Sequence, residues 1–150
     1  MTDIEFPLLI CGLPASGKST LASKLAGNGR SVLEWDAFVK QFGSLEELAE
    51  EKAIAIRMFR ERMRHLHPDV VVDVFQSRND RLKAVDAYNG RLNAAIVQCS
   101  LETCLKRNAI RKGSLLKNDE LRSIAYSFEP ILPNEGFKHI YIIDGEGGKC

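Results

Sequence analysis

The chain has 150 residues, of which 45% are hydrophobic and 27% are charged, a balance that excludes a disordered or fibrous protein. Its 21 Lys and Arg residues against 20 Asp and Glu residues give a formal net charge of +1, which excludes a uniformly basic nucleic-acid coat and a strongly acidic tail. This length predicts one domain, 1–150, with a core that needs no disulfide or structural metal.

The cysteines and the N-terminus together predict a cytoplasmic protein. No C-x-x-C pair or zinc-ligand spacing occurs, so we expect reduced thiols and no structural metal. The N-terminus carries Asp3 and Glu5 instead of a basic leader region, and no apolar run approaches a membrane span. We therefore expect no membrane partner. The four cysteines are Cys11, Cys99, Cys104 and Cys150.

Five short apolar runs rich in β-forming residues predict strands. Segments with helical periodicity lie between the runs, and this alternation predicts an α/β fold with a parallel sheet flanked by helices. No repeat, linker or low-complexity tract divides the chain. The predicted strands are Phe6–Cys11, Ser31–Trp35, Val70–Phe75, Ala94–Cys99 and His139–Ile143.

The segments between the strands predict five helices. The longest begins at the capping box Ser44–Glu47 and ends at Pro68, with one apolar stripe that we expect to face the core. The other helices are predicted at Lys18 to about Ala26, Ser77 to Tyr88, Leu101 toward Arg111, and Asn118 to before Pro130. The stripe consists of Leu45, Leu48, Ile56, Phe59, Met63 and Leu66.

The strongest motif is the segment Gly12–Thr20, which matches G-x-x-x-x-G-K-[ST] between a predicted strand and a predicted helix. Glycines allow positive φ angles, so successive N–H groups can form an anion-binding nest at the helix N-terminus. Lys18 can reach the β- and γ-phosphates, and the Ser19 hydroxyl can bind Mg²⁺. The sequence thus predicts ATP and Mg²⁺ as cofactors. The predicted ATP-binding residues are Gly12, Pro14, Ala15, Ser16, Gly17, Lys18, Ser19 and Thr20.

The remainder of the sequence narrows the class of nucleotide-binding protein. Its size excludes large mechanochemical machines, and no Asn-Lys-x-Asp guanine motif is present. Asp144–Gly147 spells D-x-x-G, but it lies too near the C-terminus to be followed by the rest of a GTPase. Small phosphotransferases remain, and these need an acceptor-side base, a carboxylate that organises Mg²⁺ and cationic groups around the phosphates.

Two aspartates are candidates for the carboxylate roles. Asp36 follows the second apolar run at the carboxyl end of a strand, where ligands of parallel sheets bind, and could accept the proton of an attacking hydroxyl. The alternative role of Asp36 is an N-cap, and Glu34 is its nearest competitor as base. Asp73 closes the run Val70–Val72 and is a candidate magnesium carboxylate, with a purely structural role as the alternative.

A basic segment, Lys106–Gly113, supplies candidate cations. Arg107 and Arg111 are four residues apart, so they share one helix face and could donate to γ-phosphate oxygens. A helix that closes over the nucleotide would form a lid that excludes water. A solvated basic helix face is the alternative.

This basic segment and the helix after it resemble the 5′-hydroxyl polynucleotide kinases of bacteriophages, which are small P-loop kinases related to the adenylate kinase fold. The closest stretch runs from Leu105–Asn108 to Leu121–Ser123, where that family similarly has a basic lid followed by a D-x-L-R-S helix. The likeness extends over roughly Phe6 to Tyr126. It implies a five-stranded parallel sheet in the order 2-3-1-4-5 with a helical lid at about 105–122.

The resemblance also implies roles for the candidate residues. The phosphate loop would anchor the phosphates and the metal, and Asp36 would be the general base on the acceptor hydroxyl. Asp73 lies at the position of the second acceptor-side carboxylate of that family. Arg111 would stabilise the transition state, with Arg107 beside it.

The departures from that family all fall on the acceptor side. Val39 stands where the family has an arginine that holds the acceptor phosphate, with Lys40 next to it. Val74 and Phe75 follow the second aspartate, where the family has small polar residues. Phosphoryl transfer from ATP is therefore better supported than the identity of the acceptor.

Three hypotheses about function remain open on the sequence. The first, which we expect from the resemblance and to which the other two are alternatives, is a kinase of polynucleotide 5′-hydroxyl ends that acts in nucleic-acid repair, with Phe75 or Trp35 stacking on a base. The second is a kinase of a small hydroxylated molecule such as a nucleoside, sugar or antibiotic, which the loss of the arginine at Val39 favours. The third is a nucleotide-binding module without an acceptor, against which the predicted base Asp36 argues.

Overall fold

The structure is a computed structural model that describes residues 3–27, 29–40, 45–72, 77–110 and 116–146; at Asp36 and at 45–52 it describes only the backbone. Its described strands form one sheet, and all the strand pairs are parallel. Their order, β2-β3-β1-β4-β5, is the order that the resemblance implied. The strands are β1 (Leu8–Cys11), β2 (Val32–Glu34), β3 (Val70–Val72), β4 (Asn93–Gln98) and β5 (Ile140–Asp144).

Helices connect the strands, and this alternation confirms the predicted α/β class. The described helices are α1 (Lys18–Ala26), α2 (Trp35–Val39), α3 (Leu45–Leu66), α4 (Arg78–Ala87), α5 (Leu101–Ile110) and α6 (Asn118–Ser127). None of them, within the described ranges, is long and apolar enough to cross a membrane.

The sheet separates two apolar clusters, because successive side chains of a strand point to opposite faces. Leu8 and Ile10 of β1 pack with Leu21 of α1 on one face. Leu9 of β1 packs on the other face with residues of α2, α3 and α4, among them Phe59. The central strand β1, which leads into the phosphate loop, is buried over its whole length.

Most helix boundaries agree with the predictions, with one difference. Ser77 caps α4 by accepting a hydrogen bond from the Asp80 N–H at 3.1 Å, and Asn89 ends that segment with a φ of 54°, both as expected. The short helix α2 was not predicted; it begins at Trp35, so the strand before it ends at Glu34.

The apolar stripe of α3 is only partly core. Phe59 and Met63 are buried as predicted, but Leu66 is 72% exposed, because it is the last residue of the helix. Ile56 is partly buried. The side chains of Leu45 and Leu48 lie outside the described part of the structure.

A fully buried ion pair joins α4 to the segment before β5. Arg81 donates from Nε to Glu135 Oε1 at 2.6 Å and from a terminal nitrogen to Oε2 at 3.0 Å. The same carboxylate accepts the Leu132 N–H at 2.9 Å, and Arg81 also donates to the Pro130 carbonyl. Burial opposes ionisation of Glu135, but the hydrogen bonds and the charge of Arg81 outweigh it and hold the pKa of Glu135 below its ordinary value. The pair therefore remains ionised inside the protein.

Candidate functional site

The candidate site lies where the five parallel strands end. Ligands of parallel α/β sheets bind outside the carboxyl ends of the strands. Here β1 ends at Cys11 and continues into the segment 12–17, after which α1 begins at Lys18. The neighbouring strands β3 and β4 pair with β1 on either side. The phosphate loop therefore emerges from the middle of the sheet.

The backbone of the segment 12–17 has the conformation expected of a phosphate loop. Ala15 and Gly17 have φ angles of 65° and 113°, in the left-handed region. A turn is closed by the Ser16 N–H, which donates to the Leu13 carbonyl at 3.1 Å. Gly12 cannot carry a side chain, because an added Cβ would lie 2.8 Å from Ser16 Oγ and 2.9 Å from the Val97 carbonyl. This tight loop leads directly into a helix N-terminus, which favours anions.

Lys18 is the first residue of α1 and is only 7% exposed. An ammonium group at this position, beside the loop and the helix N-terminus, adds positive charge where a polyphosphate would bind. Thr20, also predicted to bind ATP, is exposed in the first turn of the same helix.

The Ser19 hydroxyl contacts a carboxylate from a second strand. It donates to Glu34 Oε1 at 2.9 Å, and Glu34 is the last residue of β2. A hydroxyl and a carboxylate are oxygen ligands of the kind Mg²⁺ uses together with substrate phosphates, so this pair fits the ion that the phosphate loop implies. Among the described residues, no three His, Cys, Asp or Glu side chains could hold a metal by themselves.

Asp36 does not end the strand, as the sequence suggested, but lies in the first turn of α2. The chain turns into a helix one residue after Glu34, so Glu34 takes the place at the strand end that we expected Asp36 to have. Asp36 is not the helix N-cap either, because that position is also Glu34. Asp36 follows Glu34, whose carboxylate contacts Ser19 Oγ, by two residues in the chain.

The other acceptor-side residues of α2 belong to the core. Val39, at the position of the family's acceptor-phosphate arginine, is 4% exposed. The Trp35 ring packs against Phe59, with centroids 5.4 Å apart and nearly perpendicular planes, and against Phe38 at 6.2 Å. The proposed stacking of Trp35 on a nucleic-acid base therefore competes with its packing in the core.

Arg107 points toward the phosphate loop from α5. One terminal nitrogen donates to the Gly145 carbonyl at 2.7 Å, and the other lies 3.3 Å from the Ser16 carbonyl and 3.4 Å from the Ala15 carbonyl. Its guanidinium thus contacts the loop through backbone oxygen atoms. Arg111, together with Asp73 and Phe75, lies outside the described residues.

Two thiols beside Arg107 are poor nucleophiles. Burial raises the pKa of Cys104 to about 12 and raises the pKa of Cys99, although the Arg107 charge opposes both shifts. Both thiols are therefore protonated at neutral pH, which makes them weak nucleophiles.

The structure also reveals site residues to which the motifs did not point. Glu34 was considered only as a substitute for Asp36, although an acidic residue at a strand end next to the phosphate loop is itself a signal. Gly145 and Glu146 stand out in the sequence only as part of a D-x-x-G pattern. The only sequence signal for this contact is a glycine directly after the last strand. That this glycine contacts the phosphate loop can be inferred only once the order of the strands is known.

Comparisons with known proteins agree with this geometry. A family model described as AAA domain matches residues 8–131. No curated protein matches the sequence. Many solved structures share the fold, among them a sugar kinase from a Janibacter species, with 20% identity and a TM-score of 0.71 over 92% of this chain and 84% of that one.

Two further solved structures illustrate the range of these neighbours. A gluconokinase from Sinorhizobium meliloti has 19% identity and a TM-score of 0.69 over 94% of this chain and 84% of its own. A chain of the Pnkp1/Rnl/Hen1 RNA repair complex has 20% identity and a TM-score of 0.61 over 87% of this chain and 49% of that one. At these identities the likeness shows the fold alone. The comparisons do not confirm the resemblance to the phage polynucleotide kinases in particular.

Proposed function

We propose that this chain, which belongs to the AAA domain family, is an ATP-dependent phosphotransferase that moves the γ-phosphate of ATP to a hydroxyl group. The observation that carries the proposal is the phosphate loop at the carboxyl edge of the sheet, with Ser19 Oγ in contact with the strand-end carboxylate of Glu34 at 2.9 Å. A nucleotide-binding site needs the loop, and a phosphotransferase also needs carboxylates beside it.

Each residue of the site has a proposed part in the transfer. Lys18 and the loop N–H groups bind the phosphates, while Ser19 and Glu34 would hold Mg²⁺, which neutralises charge on the β- and γ-phosphates when bound. Asp36 accepts the proton of the attacking hydroxyl. Arg111 stabilises the charge that develops on the transferring group, as the resemblance implies. Asp73 stays a proposed acceptor-side or magnesium carboxylate.

A small hydroxylated molecule is the acceptor that the geometry favours. Polynucleotide kinases of the phage type hold the acceptor phosphate with an arginine, and the corresponding residue here, Val39, is 4% exposed within the core. A side chain packed in the core cannot clamp a phosphate. A sugar-like or nucleoside-like acceptor, which carries hydroxyls but needs no phosphate clamp, is consistent with this surface.

The 5′-hydroxyl end of a polynucleotide is the second candidate. The basic segment Lys106–Gly113 and the exposed Lys40 beside Val39 support it, because phosphate-rich ligands bind next to cationic side chains. In that case we place the protein in cytoplasmic nucleic-acid repair. The two candidates differ in acceptor but share the donor site.

A competition assay separates the candidates. The protein is supplied with γ-labelled ATP and Mg²⁺ and offered 5′-hydroxyl DNA, 5′-hydroxyl RNA, nucleosides and a set of sugars together. We expect label on a small hydroxylated molecule. Label on oligonucleotides alone would contradict this acceptor, and ATP binding without transfer to any offered acceptor would favour a non-catalytic nucleotide-binding module.

The Asp36→Asn variant tests the general base. The amide cannot take up the hydroxyl proton, so we expect turnover to fall by about 10²- to 10⁴-fold while Mg–ATP affinity stays within about twofold. Turnover is measured with the acceptor found above, and affinity by calorimetry with a non-hydrolysable ATP analogue. Asp86→Asn, an exposed aspartate at the end of α4, is the control, and equal turnover of both variants would remove Asp36 from the mechanism.

The Glu34→Gln variant tests the magnesium carboxylate. The amide keeps the size of the side chain but loses its charge, so we expect the Mg²⁺ concentration needed for half-maximal ATP-analogue binding to rise by about 10- to 100-fold. Binding without Mg²⁺ should stay unchanged. The exposed Glu102→Gln on α5 is the matched control. If ATP-analogue binding depends on Mg²⁺ as in the wild type, Glu34 is not a magnesium carboxylate and only accepts the hydrogen bond of Ser19.

A further inference from the structure

The segment that follows β5 packs directly against the phosphate loop. The Gly145 N–H donates to the Gln98 carbonyl at the end of β4, at 2.7 Å. A Cβ on Gly145 would clash with the Ser16 carbonyl and would lie 2.9 Å from a Val97 methyl group. The backbone of the loop and the backbone after β5 are thus in close contact, without room for a side chain between them.

Arg107 joins these two backbone segments. Its guanidinium donates to the Gly145 carbonyl at 2.7 Å and reaches the Ser16 carbonyl at 3.3 Å. The N–H and C=O of a trans peptide point in opposite directions, so a donor on the Ser16 carbonyl turns the Gly17 N–H toward the other side of the loop. Arg107 therefore fixes the direction of a loop N–H through the Ser16 carbonyl.

Glu146 in turn fixes the helix that carries Arg107. Its carboxylate accepts hydrogen bonds from the Ser100 N–H and from Thr103 Oγ1, the latter at 3.0 Å, at the start of α5. These hydrogen bonds hold the pKa of Glu146 below its ordinary value, so it is charged at neutral pH. The Glu146 N–H donates to Asp144 Oδ1 at 2.9 Å, which fixes the turn after β5.

We propose that Arg107, Gly145 and Glu146 form a brace that holds the phosphate loop in the conformation that binds a polyphosphate, which makes Arg107 and Glu146 positioning residues. The carboxylate of Glu146 locates α5 and the turn after β5 relative to each other. Arg107, carried by α5, donates hydrogen bonds to the loop carbonyls and so holds the loop in place relative to α5. The proposal rests on the proposed nucleotide site. It assigns a role to Gly145 and Glu146, which lie beyond the matched range 8–131, and a positioning role to Arg107, which is not part of the phosphate-loop motif.

The test compares Glu146→Gln and Arg107→Lys with the control Glu102→Gln, all in the full chain. Glu102 lies in the first turn of the same helix. Among the ion pairs of the described residues, its carboxylate pairs only with the exposed Lys106, at 3.2 Å. Two quantities are measured for each variant: hydrogen exchange of the amides in 12–17 without nucleotide, and affinity for Mg–ATP analogue. Exchange in β1 and β4 reports whether the fold is intact.

We expect loop exchange about tenfold faster and nucleotide affinity about tenfold weaker in Glu146→Gln and Arg107→Lys, because a charge-assisted hydrogen bond is lost in each. Exchange in β1 and β4 should not change. The double variant should be about as impaired as the worse single variant, since both residues act through one contact. In steady-state kinetics the KM for ATP should rise more than kcat falls.

The outcomes separate this proposal from the proposed function. Loop exchange in Glu146→Gln equal to that in Glu102→Gln overturns the brace, whether or not the protein binds ATP. If the wild type binds no nucleotide, the proposed function fails, but faster loop exchange in Glu146→Gln still supports the brace. If the losses of nucleotide affinity of the two single variants add up in the double variant, the brace is also overturned, because the two residues then act independently.

Discussion

Replacing Lys18 with alanine should lower the rate of phosphoryl transfer by about 10²- to 10³-fold or more and weaken the binding of Mg–ATP. Lys18 is the first residue of α1, directly after the phosphate loop, and it is 7% exposed, so water screens its charge little. Alanine is well tolerated in helices, so the fold should persist. The measurements are γ-phosphate transfer and calorimetry with an ATP analogue.

Lys24→Ala is the matched control for this prediction. It removes the same charge from the same helix, but from an exposed position in the last turn. We expect this variant to bind Mg–ATP as the wild type does. A Lys18→Met variant keeps the aliphatic part of the side chain and separates loss of charge from loss of packing. Binding by Lys18→Ala equal to that of Lys24→Ala would contradict the nucleotide site.

The largest effect on stability is expected from breaking the buried ion pair. Glu135→Leu leaves the fully buried Arg81 without its carboxylate, which should lower the free energy of unfolding by about 3 to 5 kcal/mol. The double variant Arg81→Met/Glu135→Leu removes both charges and should be close to the wild type in stability. Urea unfolding at pH 7 measures the free energy of unfolding of the single and the double variant.

The pH dependence of unfolding gives a second test of the same pair. The pKa of Glu135 is lowered in the folded protein, so its contribution to stability is present above the pKa of an unfolded glutamate, about 4.3, and is lost as the pH falls toward the lower folded value. The wild type should therefore lose more stability than the double variant as the pH falls from about 5 to the acid limit of the fold.

An exposed ion pair provides the control for the buried one. Arg122 contacts Asp119 at 3.2 Å on α6, and the Asp119 side chain is 98% exposed. Asp119→Asn should change the free energy of unfolding by less than about 1 kcal/mol, because water screens the pair. A loss from Glu135→Leu no larger than this would show that Arg81 finds other partners when the carboxylate is removed.

The fold was predictable because its signals are local. The apolar runs and helical periodicity each depend on residues close in sequence, and together they predicted parallel strands separated by helices. The strand order was predicted through the resemblance. The errors are at element ends: Leu66 is 72% exposed at the end of α3, and the helix at Trp35 replaced the end of a predicted strand. End residues have neighbours on one side only, so periodicity constrains them weakly.

The phosphate loop was likewise predictable, but its surroundings were not. The motif, which occupies Gly12–Ser19, specifies a backbone conformation within eight consecutive positions, and the left-handed φ angles at Ala15 and Gly17 agree with it. The contact of Ser19 with Glu34 joins residues 15 positions apart on different elements. That the Glu34 carboxylate contacts Ser19 depends on where β2 ends.

The sequence by itself thus determined the α/β class, the phosphate loop and the chemistry that such a loop serves, because these follow from short-range patterns. Only the tertiary structure decided that Glu34 contacts Ser19, that Val39 is buried, and that Arg107 meets the loop from 91 positions away. The physical reason is that such contacts depend on the order of the strands and on how helices pack over them. Residues distant along the chain become neighbours only when the sheet is assembled.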